Sequence, residues 1–195
     1  MKRFHGIALL LLFGTIAATA QSTTLDPTLV ARATAGNAAA QVAVGEQLAA
    51  QSATEHSSRQ INEDYRQAAE WYKKAADQGN STGMIHLAEL YRNGKGLPRD
   101  MEASVDLYRK AAELNNTSAQ GALGVLYSFG QGVRQNYVEA YFWYELAASV
   151  PGPDQERFLA NRQIAGTHIT AEDLDAIEAR IAQWKAAHPA LSLQK

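Results

Sequence analysis

Along the middle of the 195-residue chain, apolar positions recur at three- and four-residue spacings, the period of a helix that turns one face inward. Leu87, Leu90 and Tyr91 follow Asn80 and Ser81, either of which can cap a helix start. The run stops at Asn93-Gly94-Lys95-Gly96, where glycine takes a positive φ at little cost. Pro98 blocks continuation, and Asp100 opens a second run carrying Ala103, Leu107, Tyr108, Ala111 and Ala112. The spacing predicts two helices joined by a glycine turn.

That pattern repeats. Gly94-x-Gly96 returns 36 residues on as Gly130-x-Gly132, and Leu87-Ala88-Glu89-Leu90-Tyr91 returns as Leu123-Gly124-Val125-Leu126-Tyr127. Tyr108 maps onto Tyr144 and Ala111-Ala112 onto Ala147-Ala148; one step back lie Tyr72 and Ala75-Ala76. Asp64, Asp100 and Asn136 share a register as well. A lone helix pair cannot bury its apolar face, whereas stacked pairs can, so a period of this length means a solenoid. The expected fold is all-α, an α/α solenoid of about three helix pairs with units at 38–79, 80–115 and 116–150.

The first unit is irregular. Val44-Gly45 and Leu48 precede Leu87-Ala88 and Tyr91 by 43 residues, and the seven extra residues fall within the polar stretch 51–63, which reads as a longer surface loop. Residues 21–37 form an N-terminal segment outside the repeats. After Pro151-Gly152-Pro153, a short helix is expected over 157–164. Thr170 and Asp173 form a capping-box pattern that opens a helix through Leu174, Ile177, Ile181 and Trp184. Together these make a C-terminal capping pair, 151–195.

The first twenty residues read as a signal peptide. Met1-Lys2-Arg3 is basic, an apolar run of 14 residues starts at Ile7, and Ala18-Thr19-Ala20 has the small-x-small form of a cleavage site, placing the cut after Ala20. A bilayer span needs about 20 apolar residues, so no stable membrane span is expected after cleavage. The expected location is periplasmic or secreted.

Composition narrows the chemistry. The absence of cysteine excludes disulfides, thiolate zinc sites and cysteine nucleophiles. Lys plus Arg number 18 against 20 Asp plus Glu, so no basic excess points to nucleic acid. Among His56, His86, His168 and His188 no two share an i, i+4 face, and each reads as a surface or packing histidine. No Gly-x-Ser-x-Gly or Ser-x-x-Lys element is present. Glu63-Asp64 and Glu172-Asp173 are placed at helix starts, where acids meet the helix dipole. No catalytic residue, metal ligand or cofactor site is assigned.

Two sets of residues carry a family likeness. Leu123-Gly124, Tyr127, Gly130 and Gly132-Val133 form one, and Ala68, Trp71-Tyr72-Lys73-Lys74-Ala75-Ala76 and Gln78-Gly79 form the other. They resemble the Sel-1-like repeat, a relative of the tetratricopeptide repeat, over about 38–148. Ala88 stands where the repeat usually has Gly, Leu107 where it usually has Trp, and the first unit lacks the Gly-x-Gly turn.

The resemblance implies a non-enzymatic adaptor that binds another protein or peptide, with an envelope component or a toxin as the partner class. One alternative it raises is an immunity protein that neutralises a periplasm-delivered toxin. Another is a cell-wall or β-lactam hydrolase, although the relatives named as β-lactamases are cysteine-rich. In related repeats the first helix of each pair lines a concave groove. Carried onto this chain, that places Glu46, Thr82, Ile85, Glu89, Arg92, Val125, Ser128 and Phe129 in the groove. Ile85, Val125 and Phe129 would supply apolar contact, and Glu46, Glu89 and Arg92 would set register by charge. Trp71, Tyr72, Trp143 and Tyr144 are read as packing residues.

Overall fold

The computed structural model describes residues 25–52 and 57–188; the first twenty residues, read from the sequence as a signal peptide, lie outside the described residues. Among these residues there are helices and no strands. In chain order they are α1 (Pro27–Thr34), α2 (Ala38–Gln51), α3 (Ser58–Asp77), α4 (Ser81–Asn93), α5 (Met101–Glu113), α6 (Thr117–Phe129), α7 (Tyr137–Ala148), α8 (Gln155–Gly166) and α9 (Ala171–Ala187). From α1 to α8 each helix packs on the next. The three repeated pairs are α2/α3, α4/α5 and α6/α7, stacked into an all-α solenoid.

Local chemistry sets the helix ends. Asn37, Asn80 and Asn116 precede α2, α4 and α6, and their side-chain oxygens accept from Ala40 N–H, from Gly83 N–H, and from Ser118 and Ala119 N–H. Each removes backbone donors that a helix start otherwise leaves unpaired. Asp100 and Asn136 do the same for α5 and α7. After α4 the chain passes through Gly94 and Gly96, both at positive φ. Gly96 presses against the preceding pair: a Cβ there would lie 2.3 Å from the Arg66 nitrogen, and its amide donates to Asn62 Oδ1 at 3.2 Å. Only glycine allows this approach.

Residues 58–63 of the expected loop are helical, which corrects that part of it. α3 starts at Ser58 and runs for 20 residues against 13 in α5, so the seven extra residues add nearly two turns. Polar side chains at i, i+3 and i, i+4 hold those turns: Arg66 bridges Glu63 at 2.6 Å and Glu70 at 2.5 Å, and Gln67 donates to Glu63 at 2.9 Å. Glu63 and Asp64 therefore lie inside α3 and not at its start. Asp64 is buried and accepts from Gln60 Nε2 at 2.7 Å, while its register mate Asp100 caps α5.

The N-terminal segment contains half a unit. Ala33 of α1 occupies the position of Ala76 and Ala112, and the amide of Gln41 donates to its carbonyl at 3.1 Å, as Gln120 does to Ala112 at 3.4 Å. α1 thus stands where the second helix of a preceding pair would stand. At the other end, α8 lies on α7 as a further first helix, and its Phe158 sits where a Cβ on Gly121 would be. α9 opens with the Thr170–Asp173 capping box and then turns back over the second-helix side. There Ile177 and Ile181 join the core of Tyr108, Leu123 and Phe142, and the Trp184 ring meets that of Trp143 edge-on at 5.3 Å.

Small residues set the spacing between helices. Ala75, Ala111 and Ala147 are buried, as are Ala76, Ala112 and Ala148. A Cβ on Gly124 would stand 2.5 Å from the Tyr144 ring. Replacing Gly124 with Leu is expected to lower stability by about 1–3 kcal/mol through overpacking. Urea unfolding followed by circular dichroism reads this directly, and an unchanged midpoint would mean that Tyr144 does not fix the α6–α7 distance.

Candidate functional site

One tyrosine per second helix reaches between the first helices. Tyr72, Tyr108 and Tyr144, at 36-residue intervals, are almost wholly buried. Burial pushes the Tyr108 phenol up to about 12 and drives Tyr72 and Tyr144 upwards too. These rings form the floor of a face whose walls are α2, α4, α6 and α8. α2 touches α4 directly, so this is the side on which the stack curves inward.

Two hollows open on that face. The first, about 290 Å³, lies between α2 and α4 and is lined by Glu46, Tyr72, His86, Glu89, Asn93 and Lys95. The imidazole of His86 stacks on Tyr72 with ring centroids 4.8 Å apart. Its Nδ1 is 3.7 Å from Glu89 and its Nε2 is 3.1 Å from Glu46. These two carboxylates, Glu89 foremost, hold the imidazole above its usual 6.5, while partial burial pulls the other way. Lys95 donates to the Tyr65 hydroxyl at 3.3 Å on the rim.

The second hollow, about 190 Å³, lies between α6 and α8, with Val125, Ser128, Phe129, Tyr144, Ile164 and His168 on its walls. It is the more apolar of the two. Phe129 is 70 % exposed and Ile164 61 %, two large apolar side chains that the packing leaves in water. His168 stacks on Tyr137 at 4.1 Å and closes one side.

The eight residues named from the sequence separate into groups. Glu46 and Glu89 meet around His86, and Val125, Ser128 and Phe129 meet at the second hollow, where Ser128 Oγ lies 3.5 Å from the Tyr144 hydroxyl. Thr82 is exposed and lines neither hollow. Ile85 does not stand open in a groove: it is half-buried against the core. Arg92 is half-buried too, its Nε has no hydrogen-bond partner among the described residues, and its carbonyl accepts from Arg99 Nε at 3.1 Å.

Sequence reasoning passed over His86, Ile164 and His168. The signal for His86 was present, since it sits three residues before Glu89 on one helix face. Ile164 and His168 required knowing that α8 acts as another first helix. The tryptophans face the opposite side: Trp143 is buried beneath α9, and the Trp71 ring carries Lys74 Nζ at 4.0 Å from its centroid. Among the described residues, no group of three or more His, Asp or Glu is placed to hold a metal ion, and no helix is long and apolar enough to cross a membrane.

A pKa raised in the folded state stabilises the protonated form of the fold. The His86 contribution is therefore fully present below about pH 6.5 and is lost as pH rises through the higher folded value. Replacing His86 with Gln is expected to destabilise the protein most at acidic pH, with the difference shrinking above neutrality. An NMR titration of the imidazole checks the sign; a midpoint at or below 6.5 contradicts it.

The Sel1 repeat model matches residues 38–80, 81–116 and 117–149. No curated protein matches the chain in sequence. Among solved structures it is similar to a protective antigen present in uropathogenic Escherichia coli strains that displays an SLR fold, with 25% identity and a TM-score of 0.60 over 82% of this chain and 40% of that one. It is also similar to a Sel1 repeat protein from Oxalobacter formigenes, with 32% identity and a TM-score of 0.56 over 66% of this chain and 47% of that one. The chain thus spans less than half the length of either. Three consecutive repeat matches, covering more than half the sequence and coinciding with a stack of helix pairs, show that the chain belongs to the Sel1 repeat family.

Proposed function

We propose that this protein is an exported, non-catalytic scaffold that captures a segment of another protein along its first-helix face. Sel1 repeats generally mediate protein–protein interaction, and none of the similarities points to an enzymatic family. The observation that carries the reading is the exposed Phe129 beside Ile164, in a chain that elsewhere buries Phe142 and Phe158. A partner's apolar side chain set between them would remove apolar surface from water at about 25 cal/mol per Å². The carboxylates of Glu46 and Glu89, further along the same face, favour a basic side chain on the same segment.

Export rests on the first twenty residues, and the likeness to a protective antigen agrees with it. The partner is then a protein met outside the cytoplasm, and periplasmic if the source has an outer membrane.

The paired substitutions Phe129→Ser and Glu89→Lys are expected to reduce partner capture from an envelope extract roughly tenfold or more, as hot-spot losses do. Quantitative mass spectrometry of the captured proteins reads this, with circular dichroism confirming an unchanged helix content. An identical set of captured proteins at parental levels defeats the assignment of this face. Mass spectrometry of the protein from its native host is expected to find Gln21 at the N-terminus; a chain that keeps Met1 defeats the export reading.

A further inference from the structure

A third opening lies where the turn between α6 and α7 meets α5 and α9, and it shares Gln135 with the hollow at Phe129. It has a volume of about 800 Å³ and is lined by Arg109, Arg134 and Arg180 together with Tyr127, Asn136 and Glu139. The three guanidinium groups come from three separate places: α5, the turn and α9. In a chain with a formal charge of −2, such a gathering runs against the overall balance.

The local acids do not use up these cations. Arg180 engages Glu139 through both nitrogens at 2.5 and 3.0 Å. Arg109 donates to the Tyr127 hydroxyl at 3.0 Å and meets the exposed Asp106 only at 3.3 Å. Arg134 is exposed and makes no hydrogen bond or ion pair among the described residues. Each guanidinium carries five N–H donors, so Arg109 and Arg134 keep donors beyond those already paired. α7 begins at the same place, with Asn136 accepting from the Val138 and Glu139 amides and Glu139 in its first turn.

We propose that this cleft is a binding site for a polyvalent oxyanion, a ligand carrying two or more phosphate or carboxylate groups. Arginine forks match both groups bidentately, and Arg109 and Arg134, placed on separate elements around the opening, can each meet one anionic group of such a ligand. A volume within the range of small-molecule sites leaves room for the body of such a ligand. Arg180 keeps its pairing with Glu139 and positions α9 as one wall, while Arg109 and Arg134 supply the free donors.

The test is calorimetric titration of the purified protein with pyrophosphate and, separately, with citrate at low ionic strength. At least one is expected to bind saturably, and more weakly as salt is raised from about 20 mM to about 200 mM. Saturation by pyrophosphate alone assigns a phosphate ligand; saturation by citrate, alone or as well, assigns a carboxylate-accepting site. The double variant Arg109→Gln, Arg134→Gln is expected to lose roughly tenfold in affinity. Arg59→Gln, on α3 and outside the cleft, is expected to bind as the parent does. In the parent protein the backbone amides of Gln135 and Asn136 are expected to shift on titration, a readout that does not depend on any variant folding. Absence of saturable binding by both anions, parental affinity in the double variant, or amide shifts confined to other regions would each overturn the proposal.

Discussion

Helix α4 gives Leu87 and Leu90 to the core on one side of it, and Met84 and Ala88 to the core on the other. No pair in the stack owns its interior, because each first helix is apolar on two flanks and finds a partner for both only when a neighbour is present. The ends of the array must then be closed. α1 closes one end as half a unit, and Phe158 of α8 closes the other by filling the space above Gly121. The same requirement explains α9, whose Ile177 and Ile181 cover the exposed side of Tyr108 and Phe142.

Close approach has a second consequence. Where glycine or alanine replaces a larger side chain on a first helix, the tyrosine of its own second helix slides underneath, as Tyr72 does at Gly45 and Tyr144 at Gly124. Both rings are buried, and each lines a hollow between neighbouring first helices. The inward face therefore has a tyrosine at the floor of both hollows, and the residues above it decide the character of each. Above Tyr72 these are Glu46, His86 and Glu89; beside Tyr144 they are Val125, Phe129 and Ile164. One packing rule thus produces a charged hollow and an apolar one.

Charge is distributed unevenly over the stack. Carboxylates around an imidazole mark the inward face, while three arginines gather at the α6–α7 turn under α9. Side chains far apart in sequence, such as Glu139 and Arg180, are brought together only because α9 folds back. The His86 hollow and the arginine opening share no lining residue, whereas Gln135 lines both the arginine opening and the hollow at Phe129.

The sequence by itself determined the repeat, the helix pairs and the turns between them, because these rest on local chemistry: caps at Asn80 and Asp100, breaks at Gly94 and Gly130, and apolar residues at helical spacing. It also placed Glu46, Glu89, Val125 and Phe129 on first helices through their register. It misjudged 58–63, where polar composition reads as loop, although i, i+3 and i, i+4 pairs hold these residues in the first turns of α3. Tertiary structure alone decided that α1 and α8 stand in for missing helices and that α9 crosses the second-helix side. It likewise decided that His86 joins two carboxylates from different helices, and that Ile85 faces the core. Those outcomes depend on distances between helices, which are fixed by packing across the stack and leave no periodic trace in the chain.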